Sequence, residues 1–162
     1  MKIVTNNVKE TQKIGQKIGQ IIKNISLNLD TALVISLEGD LGGGKTSFMQ
    51  GFARGLSLDQ KILSPTFIIC RQYELSESSF ESLYHCDYYR LDQEENKEVG
   101  FDSFFSNPKN LVVVEWGDKI KPMIPEQSLT IKFDFKEKEK RVITIIDSFK
   151  IIDSLNNESI KS

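Results

Sequence analysis

The chain predicts an α/β fold: a single domain with a mostly parallel central sheet, helices on both faces and a C-terminal β-hairpin. Three observations carry that prediction. Apolar runs with little alternation, at 32–37 and 111–114, suit central strands covered on both faces. Apolar residues at helical spacing precede the first run and follow it. Between strand and helix, residues 39–46 read Gly-Asp-Leu-Gly-Gly-Gly-Lys-Thr, fitting the pattern G-x-x-x-x-G-K-[ST] at every fixed position.

Taken in order, the elements begin with a short strand at 2–5 and an amphipathic helix. Asn7 with Glu10 three residues later has the form of a capping box. Ile14, Ile18, Ile21, Ile22 and Ile25 then make one apolar stripe suited to facing a core. Asn28 to Asp30 turn the chain into the strand at 32–37. After the glycine-rich loop, Phe48, Met49, Phe52 and Leu56 share one side of a second helix ending near 55–57. Ser64-Pro65-Thr66 breaks the chain before a strand at 67–73. The polar stretch 75–82 reads as a turn into a second strand at 83–88. Acidic residues at 92–98 favour a short helix, 101–105 a further turn of helix, and Asn107-Pro108 a stop. Strand 111–114 closes on Glu115, and 129–135 with 142–147 form a hairpin around the charged turn 136–141. Lysines and glutamates alternate in that turn, as in a solvated tip. The domain spans 1–147, and the polar tail 148–162 is expected to fray.

The loop makes this a P-loop NTPase-type domain. Its glycines let backbone N–H groups curl around phosphates, and Asp40, Leu41, Gly42, Gly43 and Gly44 form the cradle. Lys45 supplies charge for the outer phosphates, Thr46 can ligate Mg²⁺, and Ser47 continues the positive first turn of the helix. A net charge of −2 argues against a broad basic face for nucleic acid, so any RNA is expected to be held by a partner. Cys70 and Cys86 lack metal-ligand spacing and read as buried free thiols. No signal peptide or membrane-length apolar run is evident, and the expectation is a cytoplasmic protein with no DNA or membrane partner.

A phosphate loop identifies a ligand; its companions must identify the reaction. Glu115 follows a buried strand, the place of a Walker B acid, because ligands sit outside the carboxyl ends of parallel strands. His85 and Asp87 lie two apart in a strand and so point to one face. Asp87 is a second candidate carboxylate, for the metal or for orienting attacking water. His85, the only histidine, is either structural or functional through its pairing with Asp87. Arg90 can contact phosphate, a partner or a surface carboxylate. Pro65 stiffens the turn that carries Thr66, whose hydroxyl can sense a γ-phosphate or Mg²⁺.

Together these residues resemble the TsaE (YjeE) family, bacterial P-loop ATPases of tRNA threonylcarbamoyladenosine biosynthesis. The resemblance rests on Gly39-Asp40-Leu41-Gly42-Gly43-Gly44-Lys45-Thr46, Ser64-Pro65-Thr66-Phe67, Tyr84-His85-Cys86-Asp87-Tyr88-Tyr89-Arg90-Leu91 and Val114-Glu115-Trp116. Departures are Gly43 where the family usually has Ala, Cys86 where an aromatic is typical, and Gly117 where Pro is common. The resemblance implies a weak Mg²⁺-dependent ATPase that docks on a TsaD–TsaB pair and permits its repeated turnover. It further implies Thr46 and Glu115 as Mg²⁺ ligands, Asp87 as essential to hydrolysis, Thr66 as the switch, and Val8 and Thr11 near the adenine. Two other classes fit the loop. A small nucleoside or nucleotide kinase shares it, but the segment after Glu115 holds a single arginine, Arg141, where kinases need an arginine-bearing lid. A nucleotide-gated adaptor without appreciable hydrolysis of its own overlaps with the ATPase reading.

Overall fold

The computed structural model describes residues 1–60, 62, 70–89, 101–137 and 140–151. Their strands are β1 (Lys2–Thr5), β2 (Leu33–Glu38), β3 (Cys70–Glu74), β4 (Ser82–Asp87), β5 (Asn110–Glu115), β6 (Leu129–Phe135) and β7 (Arg141–Asp147). Their α-helices are α1 (Val8–Asn24), α2 (Lys45–Gly55) and α3 (Phe101–Phe105). The strands form one sheet in the order β1-β7-β6-β2-β5-β4-β3. The centre is parallel, with β2 beside β5 and β6 and β4 beside β5. Both margins are antiparallel: β1 on β7, β7 on β6, and β3 on β4. The sequence prediction therefore holds at the centre of the sheet and for the C-terminal hairpin.

The apolar runs with little alternation are explained by two cores. Leu33, Ile35 and Leu37 of β2 and Leu111 and Val113 of β5 enter a large cluster with Ile14, Ile18, Phe48 and Phe52 of α1 and α2. Val34, Val112 and Val114 point the other way, into a smaller cluster with Ile120, against which Phe104 and Phe105 pack. Side chains alternate across a strand, so a strand apolar on both faces must be covered twice. Burying each of Ile14, Ile18 and Ile22 contributes about 1.5–3 kcal/mol. Asn7 caps α1, its side chain accepting from the Glu10 amide at 2.9 Å, as the capping box predicts. A 3₁₀ segment, Gly117–Met123, which the sequence pattern did not announce, follows β5 and carries Ile120 into the smaller core.

Helices α1 and α2 meet along glycines. A Cβ on Gly51 would lie 1.9 Å from the Gln12 carbonyl oxygen, and one on Gly15 would lie 2.2 Å from that of Phe48. Gly19 and Gly55 close the same seam. The backbones thus approach to a distance no side chain permits, fixing the position of α2 and of the loop at its start.

Two expectations need correction. Cys70 and Cys86 are joined in a disulfide, because the antiparallel register of β3 and β4 sets them opposite each other on one face. The start of the tail also stays attached: Ile151 is buried in the larger core, and the Ser148 hydroxyl donates to the Glu126 carbonyl. Residues 64–66, Arg90 and the helix expected at 92–98 lie outside the described residues. Among those described, no helix is long and apolar enough to cross a membrane.

Candidate functional site

The turn from β2 to α2 needs backbone that only glycine adopts at ease. Gly39, Gly42 and Gly44 have φ of 130°, 77° and 114°. At Gly42 the conformation alone demands glycine, since an added Cβ would meet nothing within 4 Å. The Gly43 amide donates to the Asp40 carbonyl at 3.0 Å and closes the loop. Gly44 caps α2 without a side-chain hydrogen bond, which leaves the first-turn amides of the helix for a ligand. Asp40, Leu41 and Gly42 are exposed, Gly43 is buried, and Thr46 and Ser47 are half-buried.

Lys45 is 5% exposed. Its Nζ donates to the carbonyls of Gly39 and Asp40 and lies 3.7 Å from the centre of the Trp116 ring. Burial pushes the lysine below its ordinary pKa, while Glu115, Asp87, Asp118 and Asp40 pull it back up. Trp116 holds φ of 63°, a left-handed conformation costing about 1–3 kcal/mol for a bulky residue. Its amide bonds the Leu37 carbonyl at 2.9 Å, and its ring meets Tyr89 at 4.9 Å between centres. Both contacts hold the indole over the lysine.

Asp87 and Glu115 end neighbouring parallel strands in direct register. They are 6% and 3% exposed, so two carboxylates are buried at one sheet margin. Asp87 accepts from the Tyr89 amide at 3.0 Å. His85 was expected to pair with Asp87, yet its Nε2 lies 2.9 Å from Glu115 Oε1. The reason is the parallel register, which sets Val113 opposite His85 and lets Glu115 bend back to it.

These groups share one cleft of about 500 Å³, lined by residues 41–47 together with Asp87, Tyr89, Glu115 and Trp116. Of the residues expected at the loop's far side, Val8 is exposed and borders a separate hollow with Asn7 and Lys13. Thr11 is fully buried, its hydroxyl 3.0 Å from that of Thr5. Ser64, Pro65, Thr66 and Arg90 lie outside the described residues.

Arg141 departs from the sequence expectation. Arg141 was assigned to a solvated tip, but it is 7% exposed and packs on the loop, its Nε 2.9 Å from where a Gly44 Cβ would be. The signal was the period-two pattern of β7, which puts 141, 143 and 145 on one inward face.

Among the described residues no three His, Cys, Asp or Glu side chains gather closely enough to hold a metal by themselves. A hydroxyl and two carboxylates on one cleft are an all-oxygen set suited to Mg²⁺, which takes the rest of its octahedron from phosphate and water.

The comparisons agree with this geometry. Residues 5–143 match the family described as Threonylcarbamoyl adenosine biosynthesis protein TsaE. The tRNA threonylcarbamoyladenosine biosynthesis protein TsaE of Bacillus subtilis is 38% identical over 68% of this chain and 67% of its own length. That of Rickettsia felis is 30% identical over 89% of this chain and 78% of its own. The crystal structure of Bacillus subtilis YdiB superposes with a TM-score of 0.72 at 29% identity, covering 99% of this chain and 93% of the other. With the family model matching residues 5–143 and curated relatives matching most of its length, the chain belongs to the TsaE family of tRNA threonylcarbamoyladenosine biosynthesis proteins.

Proposed function

We propose that this chain is the ATP-binding and hydrolysing subunit needed for threonylcarbamoyladenosine formation beside the tRNA anticodon. In this reading it acts on a TsaD–TsaB complex to permit multiple turnover, and tRNA is held by those partners. The observation that carries it is the convergence of Lys45, Thr46, Asp87 and Glu115 on one cleft.

Arriving phosphates compete with the Gly39 and Asp40 carbonyls for the Lys45 ammonium and draw on the first-turn amides of α2. Thr46, Glu115 and Asp87 would hold Mg²⁺, directly or through water, and the metal would offset charge on the phosphates. Asp87, next to the metal, would also orient the attacking water. Thr66 would distinguish triphosphate from diphosphate. Burial of the carboxylates makes their charge count for more than it would in water.

Glu115→Gln and Asp87→Asn keep shape and remove charge. Each is expected to cost about 3–4 kcal/mol of transition-state stabilisation, slowing hydrolysis by roughly two to three decades. Nucleotide binding should lose less. The assay is reconstituted threonylcarbamoyladenosine formation over many turnovers with TsaD–TsaB present. Normal multiple-turnover modification by both variants would reject the reading.

A further inference from the structure

We infer that His85 is the positioning residue for Glu115, holding one carboxylate oxygen so that the other is directed to the metal side of the cleft. The inference rests on the proposed Mg²⁺–nucleotide site and goes beyond it. His85 is fully buried, and Nε2 meets Glu115 Oε1 at 2.9 Å. No other side chain among the described residues bonds that carboxylate, and Glu115 lines the cleft. A glutamate has three rotatable side-chain bonds, and a metal ligand must be held to a fraction of an ångström. Here the strand fixes its backbone and the imidazole fixes its end.

The second ring nitrogen argues against a packing role. Nδ1 is buried and has no hydrogen-bond partner among the described residues. On the same face of the sheet lie Leu83 on its own strand and Leu111 and Val113 on β5, and Arg71 of β3 stands opposite His85 in register. An apolar ring would fill such a place without leaving a polar atom unmatched. What the imidazole adds is the Nε2–H donor toward Glu115.

The test compares the full-length wild-type chain with His85→Phe and His85→Gln. Phenylalanine keeps the ring and removes the donor; glutamine places an amide N–H near the position of Nε2. Calorimetry gives ATP affinity in Mg²⁺ and in EDTA, and electron paramagnetic resonance gives Mn²⁺ affinity in the presence of ATP. His85→Phe is expected to weaken Mn²⁺ binding by about 10–100-fold, with ATP affinity in EDTA held within about twofold. His85→Gln is expected to restore most of the metal affinity. Should the phenylalanine variant fail to fold, His85→Asn replaces it, since its amide is too short to reach Glu115. Wild-type metal affinity in the donor-less variant would overturn the inference. So would an equal loss in Mg²⁺ and in EDTA that glutamine leaves unrescued. A wild-type chain whose ATP binding ignores Mg²⁺ would instead reject the proposed metal site itself.

Discussion

Gly42 and Gly51 are required for opposite reasons. At Gly42 the surroundings are empty, and the φ of 77° is what excludes a side chain. At Gly51 the backbone is ordinary helix, and the Gln12 carbonyl 1.9 Å from a would-be Cβ is what excludes it. The loop uses glycine to hold a left-handed backbone; the α1–α2 seam uses it to bring two backbones together. The seam therefore sets where α2 lies, and α2 begins with Lys45 and Thr46. Site geometry depends on the seam, while the seam does not depend on the site's side chains.

The largest expected effect follows from that asymmetry. Gly51→Ala gains about 0.5–1 kcal/mol in helix propensity but drives a methyl group into backbone that cannot move aside. Overpacking costs about 1–3 kcal/mol and occasionally more, and the upper end applies here. Thermal unfolding and ATP affinity should fall together. A wild-type unfolding midpoint would mean that α1 and α2 can separate at little cost, and the comparison would break.

A smaller effect is expected at the loop. Gly42→Ala has room but must hold a left-handed backbone, at about 1–2 kcal/mol. Its unfolding midpoint should drop only slightly, while ATP affinity drops further as the cradle relaxes toward other conformations. Loss of stability as large as that of Gly51→Ala would show that the two glycines are not separable in this way.

Much of the site was legible because its signals are local. The loop pattern, the cap at Asn7, the shared face of His85 and Asp87 and the strand-end Glu115 each need only spacing along the chain. The remainder depends on what register and packing bring together. Gly15, Gly19, Gly51 and Gly55 acquire their role only when the second helix is in place. Cys70 and Cys86 became partners only through the β3–β4 register, and His85 found Glu115 across a parallel pair. Arg141 was hidden by its charged neighbours, although alternation along β7 turned it inward. The left-handed backbone of Trp116 follows from its bond to Leu37 and had no sequence signal.

In the proposed function the cleft around Lys45 binds nucleotide on a frame set by the seam. Lys45→Ala tests it most directly, with ATP affinity by calorimetry and thermal unfolding measured on the same preparation. Loss of tight ATP binding is expected in a protein that still unfolds cooperatively, with a lowered midpoint because the Gly39 and Asp40 carbonyls and the buried carboxylates lose their cation. Undiminished ATP affinity in a folded Lys45→Ala protein would contradict it.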